Sequence, residues 1–321
     1  MKKFNVWLLA AVASMGMTAM VSCGDDNKTP GEEPDTKVDP STIAASNLIA
    51  YFPFEGNGNE ATGSGLTPAN ANNTVTYVAG ARGQAYQGSA AITSGLLYNL
   101  PASSPIKTLT SFSFSMWAKL VANTTATTSD PEQMLFHLDG TGDWIWGNLF
   151  FLQHRNYPEN TGDWNANVAP MDVYFWKEDA VDADDNLGWR GQRADGWKLE
   201  FTSSWRHIIC TYDAATSEFH GYVNGQHIVS HKSGVDTTVY TGVKRWQAAG
   251  ETTPLGALKF TAPQHFVIGH WADKLIGTSL VDDAWAGAFR GGLDEFRIYN
   301  KGLTETEAKD LYAAELSQLE E

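Results

Sequence analysis

The segment Phe112-Ser113-Phe114-Ser115-Met116-Trp117-Ala118-Lys119-Leu120 decides the fold class, because its side chains alternate in character. Apolar residues recur at every second position, and in an extended chain this spacing puts them on one face. The pattern predicts a β-strand that packs one face into a core. The residues of that face are Phe112, Phe114, Met116, Ala118 and Leu120.

A second segment, residues 219–230, has the form of a β-hairpin around Asn224-Gly225. An Asn-Gly pair favours a type I′ turn, because both central residues can take positive φ. The two-residue loop would pair Val223 with Gln226 and Tyr222 with His227. One predicted face is apolar: Phe219, Val223 and Ile228. The other holds Glu218, His220, Tyr222, His227 and His231. We interpret it as a solvated polar face rather than a zinc site, because His227 and His231 would lie about 13 Å apart along a strand.

Outside these segments, short extended runs alternate with glycine, asparagine, aspartate and proline. Further strands are predicted at residues 48–54, 265–269 and 289–299. The chain contains 30 Gly, 12 Trp, 11 Tyr and 15 Phe, which suits an all-β core with many turns. We therefore predict an all-β fold, an antiparallel β-sandwich.

One helix is predicted near the C-terminus. Thr304 can cap it, and Glu307 completes a capping box. The apolar residues that follow at helical spacing would form a stripe against the sandwich. They are Ala308, Leu311, Tyr312, Leu316 and Leu319.

The chain of 321 residues carries a formal net charge of −15 at pH 7. A surface this acidic repels phosphate backbones and anionic lipid headgroups, so nucleic acid is excluded as an expected partner. The sequence also contains no phosphate-cradling glycine loop and no zinc-spaced cysteine and histidine cluster.

The N-terminus is typical of a secretory signal, with Lys2 and Lys3 before an apolar stretch over residues 4–21. The stretch ends in Met20-Val21-Ser22-Cys23, which resembles a relaxed lipobox. Gly24-Asp25-Asp26 follows, and this arrangement is similar to that of Bacteroidetes lipoproteins exported to the outer face of the outer membrane. The resemblance implies lipidation of Cys23, an outer-membrane location and exposure at the cell surface. An ordinary cleaved signal is the alternative.

The domain organisation follows from these features. Residues 1–22 are expected to be the signal peptide, residues 23–45 a disordered acidic tether, and residues 46–321 the folded domain. The sequence contains two cysteines. If Cys23 carries lipid, Cys210 has no partner and is expected to be a buried free thiol.

Four segments in chain order resemble a laminin-G-like, concanavalin-A-like domain. They are LIAYFPFEGNGNEATG (48–63), FSFSMWAKL (112–120), WRHI through YVNG (205–225) and GLDEFRIYNKGL through LY (292–312). The resemblance implies two antiparallel sheets in a jelly roll. It leaves activity open, since this fold hosts lectins, adhesion modules and glycosidases.

The same resemblance implies a structural Ca²⁺ between the loop after the first strand and the closing strand. The candidate ligands are Glu55, Asn57, Glu60 and Asp294. Hard oxygen ligands in a loop suit Ca²⁺. Ordinary turn hydrogen bonding is the alternative for these residues.

Carboxylate spacing weighs against an enzyme. Retaining glycosidases need two carboxyls about 5 Å apart in one cleft. Asp294 and Glu295 are adjacent on a predicted strand, so we expect them on opposite faces. The acidic run 182–186 begins like a calcium loop but has Leu187 and Arg193 where an EF-hand needs Gly and Glu.

An insertion at about residues 139–204 is rich in tryptophan and aspartate. Flat aromatic rings beside carboxylates suit sugars, which present apolar faces edged by hydroxyls. We expect Trp176, Trp197 and Trp205 to pack the sandwich. The predicted glycan contacts are Asp143, Trp144, Trp146, Asp163, Trp164 and Trp189.

These features together favour a surface-anchored lipoprotein that binds an extracellular polysaccharide or glycoconjugate without cleaving it. One alternative is a glycoside hydrolase on the same fold, with carboxylates supplied by the insertion. The other is a protein-binding adhesion or assembly module, in which exposed aromatic residues serve as interface anchors.

Overall fold

The computed structural model describes residues 38–122, 131–140, 147–153, 168–178, 191–200, 204–228, 243–244, 254–278 and 286–319. For residues 168, 170, 191–198, 200, 243 and 244 it describes the backbone alone. Among the described residues, no helix is both long and apolar enough to cross a membrane.

The strands are short and mostly antiparallel. In chain order they are β1 (Leu48–Phe52), β2 (Thr76–Ala79), β3 (Gln84–Gln87), β4 (Leu96–Asn99), β5 (Phe112–Lys119), β6 (Glu132–Leu138), β7 (Leu149–Gln153), β8 (Val168–Trp176), β9 (Gly191–Glu200), β10 (Arg206–Asp213), β11 (Glu218–Val223), β12 (Gln226–His227), β13 (Val243–Lys244), β14 (His265–Ile268), β15 (Ala286–Ala288) and β16 (Gly292–Tyr299). Two α-helices, α1 (Ala272–Ile276) and α2 (Glu305–Leu319), and 3₁₀ turns at Pro40–Thr42, Ala45–Asn47 and Pro105–Thr108 complete the described elements.

The strands form two sheets. The nine-stranded sheet has the order β12-β11-β10-β5-β16-β3-β2, with β1 also paired to β16 and β13 to β11. The seven-stranded sheet has the order β4-β14-β6-β7-β8-β9, and β15 pairs with β6 in the parallel direction. The prediction of an all-β antiparallel sandwich is confirmed, with this one parallel pair as an addition.

Strand β5 buries both of its faces. The predicted apolar residues of the segment all lie in the main core, where Phe114 meets Phe136 of the other sheet edge-on, with ring centroids 4.7 Å apart. The opposite face is buried too: Ser113 and Ser115 are inaccessible and Trp117 is 4% exposed. Helix α2 contributes to this burial, because the indole N–H of Trp117 donates to Glu315 Oε2 at 2.8 Å.

The capping box of α2 is confirmed: the Thr304 N–H donates to Glu307 Oε2 at 2.8 Å, and the Glu307 N–H donates to Thr304 Oγ1 at 3.2 Å.

The predicted apolar stripe of α2 is wrong at one position. Leu316 is 37% exposed, whereas Glu315 is 3% exposed. Glu315 takes the buried position instead of Leu316, because its carboxylate contacts polar partners on the outer face of the nine-stranded sheet.

The hairpin has the predicted register, with Tyr222 opposite His227 and Val223 opposite Gln226. Asn224 and Gly225 both have positive φ, 49° and 72°. The expectation of a solvated outer face is wrong for Tyr222, which is 2% exposed. Its ring packs in a cluster with residues of α2.

Strand β16 contains a bulge that sequence reasoning missed. Its pairing with β5 shifts register between Asp294 and Arg297, and Glu295 has φ 50°. Leu293 and Phe296 both lie in the core, so the two residues between them point to the outer face. The expectation that Asp294 and Glu295 lie on opposite faces is therefore wrong.

The buried cysteine follows the prediction. Cys210 is a free thiol with no exposed surface, on β10. Burial raises the pKa of this thiol well above its ordinary value. Cys23 lies outside the described residues.

Candidate functional site

The C-terminal ends of β6 and β8 lie at one edge of the seven-stranded sheet, where edge means the border formed by strand ends. This follows because β6, β7, β8 and β9 are successive antiparallel neighbours. The chain leaves this edge after Leu138 and again after Trp176. It leaves the opposite edge between β7 and β8. The predicted residues Asp143, Trp144, Trp146 and Trp189 belong to the first edge by sequence position, and Asp163 and Trp164 to the second; all six lie outside the described residues.

Side-chain hydrogen bonds fix the root of the connection between β6 and β7. Asn148 accepts the Thr261 N–H on Oδ1 at 2.7 Å and donates from Nδ2 to the Asp139 carbonyl. Asp139 Oδ1 accepts the N–H groups of Gln264 and His265 at 2.6 and 2.8 Å. The root is therefore held against the segment that precedes β14.

The root of the second connection is held by the same segment. The indole N–H of Trp176 donates to Thr261 Oγ1 at 2.9 Å, and Lys177 Nζ donates to the Leu255 carbonyl at 2.6 Å. Trp176 is 4% exposed, which confirms its predicted packing role. Trp205 is half-buried, with its ring beside Gly292, and the side chain of Trp197 lies outside the described residues.

The outer face of the seven-stranded sheet carries an aromatic cluster: His137, Phe150, Tyr174 and Trp271. The Phe150 and Tyr174 rings stack with centroids 4.6 Å apart and planes 14° apart. Trp271 contacts Phe150 at 5.6 Å and His137 at 5.2 Å. Tyr174 is half-buried, whereas the other three residues are at most 3% exposed, so Tyr174 is the most exposed member of the cluster.

The position of this cluster follows from strand alternation. Met171, Val173 and Phe175 enter the core, which leaves Asp172 and Tyr174 on the outer face. Asp172 is 2% exposed on the same face as the Tyr174 ring. Sequence reasoning missed the cluster because the run 171–176 has aromatic residues on both faces and so gives a weak alternation signal.

The structure separates the four predicted calcium ligands. Both carboxylate oxygens of Glu60 are occupied by donors of its own loop: the N–H groups of Tyr51, Thr62 and Ser64 and the hydroxyls of Thr62 and Ser64. The Asn57 amide accepts the Asn59 N–H and donates to the Glu55 carbonyl. These two side chains serve local turns.

Glu55 and Asp294, in contrast, face one turn. Asp294 Oδ2 accepts the Arg82 N–H at 2.9 Å, and Glu55 Oε2 accepts the Gln84 N–H at 3.0 Å. The β2–β3 turn passes so close that a Cβ on Gly80 or Gly83 would collide with these carboxylates. The described residues contain no group of three or more His, Cys, Asp or Glu side chains arranged to hold a metal ion. Of the four predicted residues, Glu55 and Asp294 therefore bind the same turn, whereas Asn57 and Glu60 bind their own loop.

Burial raises the pKa of Asp294 to about 8, and the nearby Glu295 and Glu55 carboxylates add to the rise, while the Arg82 N–H opposes it. For Glu60, burial acts to raise the pKa, but the hydrogen bonds from Ser64 and Thr62 outweigh it and leave the pKa below its ordinary value. Burial thus favours the protonated form of Asp294, whereas hydrogen bonds favour the charged form of Glu60.

The bulge brings Asp294 and Glu295 to one face, yet both have chain partners and are almost inaccessible, at 0% and 2% exposure. Glu295 Oε2 accepts the Tyr51 hydroxyl at 2.7 Å and pairs with Arg297 Nη2 at 2.9 Å. Both carboxylates therefore bind residues of the protein itself on the outer face and are inaccessible to a sugar chain.

No protein-family model and no curated protein sequence matches the chain. Solved structures with a similar architecture include domain 4 of a GH43 extracellular arabinanase from Geobacillus stearothermophilus in complex with arabinotriose (TM-score 0.46, 20% identity, 83% of this chain and 98% of that one). Another is the botulinum neurotoxin serotype D ligand-binding domain in complex with N-acetylneuraminic acid (TM-score 0.49, 11% identity, 85% and 52%).

The chain thus aligns with about half of the toxin domain. These likenesses concern architecture, and they carry no conclusion about the ligand or activity of this chain. The laminin-G assignment stays a resemblance carried by the four sequence segments.

Proposed function

We propose that this protein is a carbohydrate-binding β-sandwich that holds an extracellular polysaccharide or glycoconjugate without cleaving it. The observation that carries the proposal is the Tyr174 ring, stacked on Phe150 on the outer face of the seven-stranded sheet. A sugar ring can lay its apolar C–H face on such a ring while its hydroxyls meet polar neighbours.

The predicted loop residues extend this surface in the proposal. Asp143, Trp144, Trp146 and Trp189 belong to connections that leave one edge of the same sheet, whose roots are fixed at Asn148 and Trp176. A rigid root lowers the entropic cost of presenting aromatic side chains to a ligand. Asp163 and Trp164 would contact a longer glycan beyond the opposite edge.

The test is a glycan array with the full chain, comparing wild type with Tyr174→Ala and Tyr174→Phe. We expect binding to be lost in Tyr174→Ala and kept in Tyr174→Phe, because the ring face and not the hydroxyl makes the contact. Tyr77→Ala, a half-buried ring on the other sheet, is the matched control and should bind like wild type. Trp144→Ala and Trp189→Ala should weaken binding more than Trp164→Ala.

Three results would overturn the proposal. Equal binding by Tyr174→Ala and wild type would remove the aromatic surface from the site, provided that circular dichroism shows both to be folded. Release of reducing sugar from a bound polysaccharide would establish a glycoside hydrolase. A blank array, with capture of a membrane protein instead, would favour the protein-binding alternative.

The anchoring part of the proposal rests on Lys2, Lys3 and the Cys23 motif. We expect mass spectrometry to find a diacylated Cys23 at the mature N-terminus, and external protease to degrade the protein on intact cells. Cys23→Ala should abolish both the lipid and the surface location. An unmodified Cys23 in the mature protein would refute lipidation.

For the calcium part, we propose that Glu55 and Asp294 hold the ion at the β2–β3 turn, and that Asn57 and Glu60 shape the adjacent loop. Ca²⁺ should then raise the melting temperature of wild type relative to a chelator. Asp294→Asn should remove that shift, while Glu218→Gln, an exposed carboxylate elsewhere on the same sheet, should keep it. A wild-type melting temperature that does not change when Ca²⁺ is added would refute the site.

A further inference from the structure

Two histidines meet on the outer face of the nine-stranded sheet, at the Asn224-Gly225 hairpin. His220 lies on β11 and His227 on β12, with His220 Nδ1 and His227 Nε2 3.2 Å apart. Sequence reasoning rejected a zinc site on this face because His227 and His231 would lie about 13 Å apart along a strand; His231 lies outside the described residues. The structure instead pairs His227 with His220, a diagonal neighbour across the hairpin.

The 3.2 Å separation suits a metal ion. With metal–nitrogen bonds of about 2.0–2.1 Å, two imidazole ligands subtending a tetrahedral angle have nitrogens about 3.3 Å apart. At a right angle the separation would be about 2.9 Å. The observed distance falls between these limits, so the two nitrogens are spaced like two imidazole ligands of one ion.

The outer ring nitrogen of His220 has an acidic neighbour. Glu218 Oε2 lies 3.6 Å from His220 Nε2. When His220 Nδ1 binds a metal, the ring proton sits on Nε2 and faces this carboxylate. Metal-binding histidines commonly donate their second N–H to a carboxylate, which fixes the tautomer and makes the ring a better ligand.

The His227 ring is held in place by the rest of the fold. It stacks on Tyr222 with ring centroids 4.8 Å apart. Tyr222 is 2% exposed and packs against α2, so the support is rigid. Asn224 and Gly225, both at positive φ, set the register that places the two rings together.

The site is accessible from solvent. The His220 side chain is 24% exposed, which leaves a path for an ion from solvent. Both facing nitrogens can present lone pairs to one ion when the ring protons sit on the far nitrogens.

We propose that His220 Nδ1 and His227 Nε2 form a binding site for a divalent first-row transition metal ion such as Zn²⁺ or Ni²⁺, with Glu218 as the outer-shell carboxylate. Two protein ligands leave open coordination positions for water or for a donor group of a bound molecule. The site lies on the nine-stranded sheet and is independent of the proposed carbohydrate surface. It is also distinct from the Glu55 and Asp294 carboxylates, because imidazole ligands suit Zn²⁺ and Ni²⁺ rather than Ca²⁺.

The experiment is a calorimetric titration of the full chain with Zn²⁺ and, separately, Ni²⁺, in wild type, His220→Asn and His227→Asn. We expect saturable binding of one ion in wild type. Each variant should weaken it by more than the about tenfold to hundredfold that loss of an outer-shell partner costs. Glu218→Gln should weaken it by a smaller factor. His265→Asn, a histidine on the other sheet bonded to Asp139, is the matched control and should bind like wild type.

Nitrogen NMR of the imidazole rings in wild type tests the same assignment without a substitution. Zn²⁺ should shift His220 Nδ1 and His227 Nε2 and leave the His265 ring unchanged. Absence of saturable binding, wild-type affinity in either His→Asn variant, or unshifted nitrogens in His220 and His227 would each overturn the proposal. Competition by excess Ca²⁺ would overturn it too.

Discussion

Replacing Glu315 with glutamine should change how the stability of the fold depends on pH. Glu315 lies on the side of α2 that faces the sheet and is 3% exposed. Its carboxylate pairs with Arg297 Nη1 and accepts the Trp117 indole N–H at 2.8 Å. Arg297 also pairs with Glu295 at 2.9 Å, so one guanidinium serves two carboxylates. Burial raises the pKa of Glu315 from 4.5 to about 7, with Arg297 opposing the rise and Glu295 adding to it.

The sign follows from proton binding. Below about pH 4.5 the carboxyl is protonated in both the folded and the unfolded chain, and its contribution to stability is fully present. Between about pH 4.5 and 7 the unfolded chain has released this proton while the folded chain still holds it, so the contribution to the unfolding free energy falls. Above pH 7 the contribution is lost. A rise of between two and three pKa units corresponds to about 3 kcal/mol. Glutamine has no proton to lose, so the variant lacks this loss.

The assay is urea unfolding of wild type and Glu315→Gln between pH 4.5 and 8. Relative to the variant, wild type should lose about 3 kcal/mol of unfolding free energy over this range. Titrations of other groups largely cancel in the difference. Asp310→Asn, exposed on the same helix, is the control and should track wild type. The reasoning would be refuted if the difference in unfolding free energy between wild type and the variant did not change with pH, or if wild type became relatively more stable as the pH rises. Either result would show that the attraction of Arg297 offsets the effect of burial.

Three further predictions concern local contacts. Thr304→Ala should cost about 1 kcal/mol in urea unfolding by removing the capping box, and an unchanged midpoint would contradict that role. Gly225→Ala should lower the melting temperature more than Gly256→Ala: both residues have positive φ, but only at Gly225 would a Cβ meet a side chain, Tyr312 Cδ1 at 2.5 Å. The Cys210 thiol should resist a thiol reagent in the native protein and react in denaturant, with Cys210→Ala identifying its signal; rapid native labelling would show that the strand opens.

Much of the described fold could be predicted from local patterns. The alternation in residues 112–120, the Asn224-Gly225 turn and the Thr304–Glu307 capping box each depend on side-chain direction or backbone φ within a few residues, and each is confirmed. Burial of Cys210 followed from its apolar strand. The predicted glycan residues and Cys23 lie outside the described residues and stay predictions.

Local patterns failed where a distant element supplies the partner. Glu315 rather than Leu316 is buried, because Trp117 and Arg297 on the sheet provide its hydrogen bonds. The bulge at Glu295 turned an adjacent pair of carboxylates to one face, which strand periodicity does not encode. Proximity of this kind depends on which strands pair and in what register.

The sequence by itself determined the all-β class, the hairpin register and the helix start, because these depend on interactions between residues close in the chain. Only the tertiary structure decided that Glu55 and Asp294 share a turn, that Phe150 and Tyr174 stack, and that His220 meets His227. The first two pairings join residues far apart in the chain. The third lies within one hairpin and depends on ring orientation, which packing of Tyr222 against α2 fixes. Such contacts form when burial of the whole core sets strand order, and no short stretch of sequence contains that information.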